Sequence, residues 1–244
     1  MALKLRQMVG RFAFLDATRG LAVWLMIMYH FCYDLVFFKL AHFNLTQDMF
    51  WLSFRSTIVS LFLIIVGISL FFALQLKKDW SAYYRRLMIL GFSAALVSIG
   101  SYWLFGQRFI YFGILHFILI ASILALPFLK FNYLNLILGL ILIALGFTVQ
   151  HPFFNQPHLH WLGMMTFKPP TEDFVPIVPW FGFVLMGLFL AKQLPISTLS
   201  TWQPNHWLKK MLIFSGRHSL IIYLIHQPIL IGIFYAMLWI IANL

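Results

Sequence analysis

Long apolar segments dominate this chain, and most of them end at a short polar or basic cluster. Hydrophobic residues make up 62% of the 244 positions, and charged residues make up only 9%. Soluble domains carry about 25% charged residues, and a soluble fold of this composition would leave a large apolar surface in water. Because a helix needs about 20 apolar residues to cross a bilayer, the pattern predicts an all-α, polytopic membrane helix bundle.

About seven segments have the length of a membrane span. The predicted spans are residues 15–38, 50–76, 85–105, 109–129, 132–149, 176–191 and 211–241. The first apolar run is too long for a signal peptide and no small-residue cleavage site follows it, so we interpret it as a retained span. We find no internal repeat, and we predict a single transmembrane domain over residues 1–244.

The distribution of basic residues predicts an orientation with the N-terminus inside and the C-terminus outside. In that orientation the inner segments contain Lys4, Arg6, Arg11, Arg19, Lys77, Lys78, Arg85, Arg86, Lys130, Lys192, Lys209, Lys210 and Arg217. The outer segments contain Lys39, Arg55, Arg108 and Lys168. Positive charge is enriched on the cytoplasmic side of membrane proteins. The net charge of +11 is therefore attributed to basic loops near anionic headgroups, and no nucleic acid is expected as a partner.

The first predicted span contains ionisable residues where a membrane helix normally has none. Arg19 and His30 are eleven positions apart, about 1100° of helical rotation, so they share one face within roughly 20°. Asp34 lies one turn beyond His30 on that face and could bond its imidazole. Ionisable groups inside a bilayer are costly and indicate function. Asp16 and Arg19 also suit a simple helix start, with the arginine reaching the headgroups.

Two more histidines lie inside later spans, at depths that would let them meet His30 near the middle of the membrane. His116 and His226 equally suit hydrogen-bonded packing roles between helices. The spacing of these histidines indicates no metal site, and no metal is expected. Cys32 is the one cysteine, so no internal disulfide can form. Phosphate-binding, dinucleotide-binding and serine-nucleophile motifs are absent from the sequence, so nucleotide hydrolysis and Rossmann redox chemistry are not supported.

Five segments in order along the chain resemble one known family. They are LDATRGLAVWLMIMYHFCYDL, FLIIVGISLFF, YFGILHFI, PIVPWFGFVLMGLFLA and GRHSLIIYLIHQP. They are similar to the heparan-alpha-glucosaminide N-acetyltransferase catalytic-domain family, in its short bacterial form, over nearly the whole chain. The resemblance implies an integral membrane acyltransferase, in the plasma membrane of a bacterium, that moves acetyl from cytosolic acetyl-CoA to a sugar or other hydroxyl or amine acceptor.

The resemblance implies two alternative reactive histidines. Arg19 and His30 also match the Arg-x10-His pattern of related membrane acyltransferases that O-acetylate surface polysaccharides, which implies His30 as the reactive group with Asp34 orienting it. In the animal heparan enzymes the proposed active histidine lies just beyond the first span, which implies His42. The catalytic candidates are therefore His30, Asp34 and His42.

The candidates for substrate binding are Asp16, Arg19, His116, Trp180, Arg217 and His226. Arg19, held by Asp16, would bind the phosphates of acetyl-CoA at the inner side. The loop at 150–175 would face the acceptor or form an interfacial lid. The expected partners are the lipid bilayer, acyl-CoA and a small carbohydrate-like acceptor, and a homodimer is left open.

Two other classes of protein remain open from the sequence. A proton-coupled transporter would also place His and Asp side chains in mid-membrane, although transporters often show paired broken helices, for which we find no repeat. A structural membrane protein would use the same polar residues only to join helices.

Overall fold

Eight α-helices make up most of the described chain. The structure, a computed structural model, describes residues 12–76, 78–195 and 206–243. Its helices are α1 (Ala13–Phe37), α2 (Met49–Phe71), α3 (Trp80–Phe105), α4 (Ile114–Leu124), α5 (Tyr133–Thr148), α6 (Ile177–Gln193), α7 (Trp207–Arg217) and α8 (Ser219–Ala242). About 80% of the structure is helical, and the all-α prediction is confirmed.

Four helical segments are long and apolar enough to cross a membrane. They are Ala13–Phe37, Met49–Gln75, Trp80–Arg108 and Ser219–Ala242. Helices α4, α5 and α6 are apolar but shorter, with 11, 16 and 17 residues, and they lie within predicted spans four, five and six. The number of spans, the single domain over 1–244 and the orientation stay predictions. Four of the basic residues used for the orientation, Lys4, Arg6, Arg11 and Lys77, lie outside the described residues.

The structure departs from the predicted spans at two helix ends. Helix α2 continues into a π-helical segment, Phe72–Leu76, before the chain turns. The predicted last span, 211–241, consists of two helices, because the helical path breaks at His218. There the backbone N–H of His218 donates to the Phe214 carbonyl, and its ring Nδ1 lies 2.9 Å from the same oxygen.

The chain divides into two compact units. The central unit comprises residues 63–196, and the terminal unit comprises residues 10–62 and 197–244, as far as each is described. In the central unit α5 packs on α6 and α3 packs on α4. Small residues allow this close approach, since a Cβ on Gly139 or Gly182 would meet the other glycine's carbonyl oxygen.

Helix α1 is the centre of the terminal unit and packs against both α7 and α8. Its buried side chains include Leu15, Ala22, Val23 and Met26. Met26 and Tyr29 form a buried cluster with Ile58 of α2, flanked by partly buried Trp51 and Phe54. The polar residues that the sequence singled out on α1 therefore lie on a helix that packs against both α7 and α8.

Candidate functional site

At the first turns of α1, one carboxylate holds two arginines. Asp16 is 2% exposed, and its Oδ1 lies 3.1 Å from Nη1 of Arg19, one turn along the helix. Its Oδ2 lies 3.3 Å from Nε of Arg217 at the end of α7. Both guanidinium groups are partly exposed, at 22% and 48% of their side chains. The structure thus joins three predicted substrate-binding residues and leaves a net positive charge at this end of α1.

Two glycines allow α7 to come close enough for this arrangement. A Cβ on Gly20 would overlap the backbone carbonyl of Leu212, and a Cβ on Gly216 would overlap the carbonyl of Asp16. A hydrogen bond 3.1 Å long from Nε1 of Trp24 to Oγ of Ser215 fastens the same contact. Backbone-to-backbone packing of this kind requires small residues, and here it brings Arg217 to Asp16.

About three turns further along α1, two imidazoles face each other. The ring centroids of His30 and His226 lie 4.9 Å apart, and the Tyr29 ring contacts His30 edge-on at 5.9 Å. Nδ1 of His226 lies 2.6 Å from the backbone oxygen of Tyr223. Nε2 of His226 is buried and has no hydrogen-bond partner among the described residues. The expected meeting of His30 and His226 is therefore present within the terminal unit.

Asp34 has a different partner from the one the sequence suggested. Its Oδ1 accepts a bond 2.7 Å long from Nε2 of Gln227 on α8, whereas the sequence predicted a bond to His30. Its Oδ2 and Oε1 of Gln227 are buried without a hydrogen-bond partner in the described structure. Asp34 is 1% exposed, so it is a buried carboxyl whose bonding capacity is only half used.

Aromatic side chains of α2 and the half-buried Arg55 lie beside the histidine pair. Tyr29 packs against Trp51 and Phe54, with ring centroids 6.2 Å away in each case. The guanidinium of Arg55 interacts with the Tyr29 side chain through its charge and a hydrogen bond. His30 therefore follows a tyrosine that interacts with the Arg55 guanidinium. The sequence analysis used Arg55 only to predict the membrane orientation.

His42, the alternative reactive histidine, lies in a different setting. It is exposed in the segment between α1 and α2 and lines an open surface depression of about 400 Å³. Lys39 and Asn44 line the same depression. A histidine here is accessible from the protein surface without any helix having to move.

His116 and Trp180 belong to the central unit, and the structure gives both of them packing partners. Nδ1 of His116 accepts from the backbone N–H of Gly113, and its Nε2 lies 3.0 Å from Oγ of Ser98. Both ring nitrogens are thereby used, and the histidine completes the N-terminal cap of α4. Trp180 is half-buried in α6 and packs on Phe183. Their predicted role in substrate binding stays a prediction.

The loop at 150–175 is ordered by its own contacts. It contains two short 3₁₀ segments, Pro152–Asn155 and Pro157–Leu162. Glu172 pairs with Arg108 at 2.6 Å, and Oδ2 of Asp173 accepts from the backbone N–H of Ile114 at 2.9 Å. These two carboxylates therefore fasten the loop to the start of α4, whatever the loop faces.

The sequence analysis did not single out Gln227 or Ser215, and it used Arg55 only for the membrane orientation. A glutamine in an apolar helix is a detectable signal, because polar side chains in such a helix need a partner. Gln227 is uncharged, so a search for ionisable residues in the spans does not find it. Among the described residues no group of three or more His, Cys, Asp or Glu is arranged to hold a metal ion.

Comparison with known proteins identifies the family. The family model described as heparan-alpha-glucosaminide N-acetyltransferase, catalytic, matches residues 11–228. No curated protein and no solved structure matches the chain. The match includes the whole of α1, with Arg19 and His30, and α8 as far as Pro228. The chain therefore belongs to the heparan-alpha-glucosaminide N-acetyltransferase catalytic-domain family.

Proposed function

We propose that this protein is a multi-pass membrane acetyltransferase that takes acetyl from cytosolic acetyl-CoA and transfers it to a hydroxyl or amine acceptor. The observation that carries the proposal is the layout of α1. One end of this helix has two partly exposed arginines on Asp16, and about three turns along it lies the pair His30–His226. A cationic end of α1 and an imidazole pair about three turns further along it suit a charged, elongated acyl donor.

The arginine end would bind the phosphates of acetyl-CoA. Guanidinium groups bind phosphate with two parallel hydrogen bonds and keep their charge at any physiological pH. Asp16 fixes the orientation of Arg19 and Arg217 while neutralising only one of their two charges. Eleven residues of helix span about 16 Å, and the pantetheine arm would cover this distance to place the thioester near His30.

His30 would act as the general base, or would carry the acetyl group transiently. In the direct reaction the acceptor oxygen or nitrogen bonds to the acetyl carbon, the carbon–sulfur bond breaks, the acceptor proton passes to His30 and CoA leaves as the thiolate. In the two-step reaction an imidazole nitrogen of His30 bonds to the acetyl carbon while the carbon–sulfur bond breaks and CoA leaves as the thiolate. The acceptor then attacks the acetyl carbon, the bond to the imidazole breaks, and the acceptor proton passes to the released imidazole. In either reaction, the aromatic side chains of Tyr29, Trp51 and Phe54 would keep water away from the acetyl group.

His42 is the alternative reactive group for the same reaction. Its exposure and the depression around it would give a hydrophilic acceptor direct access. In that case His30 and His226 would serve binding, and acetyl would have to reach the end of α1 opposite Arg19.

The experiment that tests the proposal measures acetyl transfer from labelled acetyl-CoA in proteoliposomes. The acceptors to be screened are glucosamine, glucose and a short polysaccharide. We expect His30→Ala to lose more than about 100-fold in rate, as is typical for removal of a general base. The control His206→Asn replaces an exposed histidine by a residue that can also cap the start of α7, and it should keep its rate. Full activity of His30→Ala together with an inactive His42→Ala would move the reaction to His42.

A proton-coupled transporter is the second candidate, because Asp34 and His226 are buried and keep unpartnered polar atoms. Buried ionisable groups of this kind also make proton relays. Uptake of a solute into proteoliposomes that needs no acyl-CoA and depends on a proton gradient would favour this class over the acetyltransferase.

A further inference from the structure

Helix α7 exposes two large aromatic side chains together with a lysine. Trp207 is 64% exposed and Phe214 is 62% exposed, and Lys210 between them is exposed as well. Steps of three and four residues separate these side chains, so they share one face of the helix. Gly216, on the opposite side, is buried against the backbone of α1. The aromatic face of α7, defined as Trp207, Lys210 and Phe214, therefore points away from α1.

The length and charge of α7 do not suit a membrane span. The helix has 11 residues, about 16 Å of length, whereas the hydrocarbon core is about 30 Å thick. Its sequence, WLKKMLIFSGR, contains three basic residues, and no aspartate or glutamate follows Asp173 in the chain. Helices that combine Trp, Phe and Leu with basic residues are typical of the boundary between lipid headgroups and acyl chains.

Helix α8 indicates that α7 lies at such a boundary. It is long and apolar enough to cross a membrane, and Tyr235 and Trp239 are exposed near its C-terminal end. Tyrosine and tryptophan are enriched where a span leaves the bilayer. The helical path breaks at His218, about 26 Å before Tyr235 and about 32 Å before Trp239 along a straight helix. Since the hydrocarbon core is about 30 Å thick, the break and α7 belong at the other interface.

We propose that the aromatic face of α7 binds an anionic phospholipid at the membrane interface. Trp207 and Phe214 pack on the lipid where the headgroup meets the acyl chains, and the Lys210 ammonium pairs with the phosphate. A zwitterionic headgroup would bring its own ammonium group towards the same lysine, so charge favours an anionic lipid. The inference does not depend on acetyl transfer. It places residues 207–217 at the interface instead of at the start of the span predicted for 211–241.

Quenching by brominated lipids tests the proposal at one position of the full-length protein. In the Cys32→Ser background, Trp207→Cys is labelled with bimane, an aromatic fluorophore that takes the place of the indole ring. The protein is reconstituted in phosphatidylcholine vesicles with the same minor fraction of brominated phosphatidylglycerol or brominated phosphatidylcholine. We expect phosphatidylglycerol to be enriched about fivefold at the label, the attraction of one lysine near a membrane surface. Higher salt should reduce this enrichment.

Two charge variants and a second label position locate the effect on α7. Lys210→Gln should bring the two lipids close to equal quenching at position 207. The control Lys39→Gln removes an exposed lysine at the other end of α1 and should keep the enrichment. A label on Ile233→Cys, exposed on α8, should be quenched equally by both lipids, because no lysine or arginine follows Arg217 in the chain. The two lipids have the same brominated chains, so the ratio does not depend on the depth of the label.

Three results would overturn the proposal. Equal quenching by both lipids at position 207 in the otherwise unchanged protein would mean that α7 does not recognise the anionic headgroup. The same enrichment in Lys210→Gln would assign the attraction to basic residues outside the aromatic face. No quenching at position 207 by either lipid, together with normal quenching at position 233, would mean that a second copy or another protein covers this face.

Discussion

At the scale of single residues, the two carboxylates of α1 have opposite environments. Asp16 is bonded by two guanidinium groups that reach partly into solvent. Asp34 is almost fully buried and is bonded by one neutral amide. The first arrangement can bind an anion through its arginines, and the second offers a ligand only hydrogen bonding. The contrast supports the proposed place of the charged donor at the Asp16 end of α1.

Replacement of Asp16 tests the donor end. In Asp16→Asn neither Arg19 nor Arg217 keeps its ionic partner, so the guanidinium groups lose their fixed orientation. We expect KM for acetyl-CoA to rise roughly tenfold, equivalent to about 1.4 kcal/mol, while kcat changes little. Partly exposed ion pairs are each worth about 0–1 kcal/mol, so the protein should still fold.

Asp79→Asn serves as the matched control, because Asp79 caps α3 through the Ala82 N–H. Steady-state kinetics at two salt concentrations complete the measurement, since screening should narrow the difference between wild type and Asp16→Asn. An identical KM for Asp16→Asn and wild type would mean that these arginines serve topology alone.

His116 is predicted to stabilise the fold rather than to react. Its ring completes the cap of α4 and bonds Ser98, so His116→Ala should lower the free energy of unfolding by about 1–2 kcal/mol. We expect a lower melting midpoint with kcat within about twofold of wild type, and partial recovery of the midpoint in His116→Gln. Loss of kcat at an unchanged midpoint would restore the substrate-binding role that the sequence suggested.

Periodicity predicted part of the site, and it could not predict the rest for physical reasons. Arg19, His30 and Asp34 were grouped because residues three, four and eleven apart share a helix face. The bonding of Asp34 depends on which residue of α8 faces it, and helical spacing within one chain segment contains no information on that. His226 was singled out as an ionisable residue, whereas Gln227, the actual partner of Asp34, is uncharged.

At the scale of elements, hydropathy located the helices but not their breaks. The apolar runs predicted helices α1 to α6. For most of the helix ends, the predicted and observed positions differ by only a few residues. The break at His218 was missed because hydropathy alone set the bounds of the span, although the weak helix formers Ser215, Gly216 and Ser219 flank it. The π-helical segment Phe72–Leu76 was missed for the same reason. The approach of α7 to α1 depends on Gly20 and Gly216, whose importance appears only when the two helices are in contact.

The contact between α1 and α7 gives a prediction at this scale. In Gly20→Ala the new methyl group would overlap the Leu212 carbonyl, which is backbone and cannot rotate away. Helix α7 would have to shift, and Arg217 would move with it from Asp16. We expect a melting midpoint lower by several degrees and a raised KM for acetyl-CoA.

The control for this substitution is Gly232→Ala in α8, where a Cβ meets nothing within 4 Å. Alanine is favoured over glycine inside a helix by about 1 kcal/mol, so Gly232→Ala should be neutral or stabilising in a thermal unfolding assay. Equal midpoints for Gly20→Ala and Gly232→Ala would contradict the close packing of α1 and α7.

At the scale of the whole molecule, the proposed reaction requires a sided protein. Acetyl-CoA is cytosolic, so the Asp16 end of α1 must face the cytosol, as the distribution of basic residues predicts. The segment between α1 and α2, which contains His42, would then lie outside, and the segment between α2 and α3 would lie inside. The orientation and the reaction therefore stand or fall together, and Arg19 and Arg217 contribute to both inferences.

Cysteine labelling in sealed, right-side-out vesicles tests this sidedness. The chain has one cysteine, so Cys32→Ser gives an unlabelled background, and single cysteines are then introduced by Thr46→Cys and Ser81→Cys at exposed positions. A membrane-impermeant maleimide should label Thr46→Cys in intact vesicles and Ser81→Cys only after the vesicles are opened. Each variant is first checked for acetyl transfer, so that labelling reports the working fold.

The reverse pattern would place Arg19 and Arg217 outside, where no cytosolic acetyl-CoA can reach them, and would exclude the proposed direction of transfer. Labelling of both positions in intact vesicles would mean that α2 does not cross the membrane, and the donor and acceptor ends of α1 would then need a different route for the acetyl group.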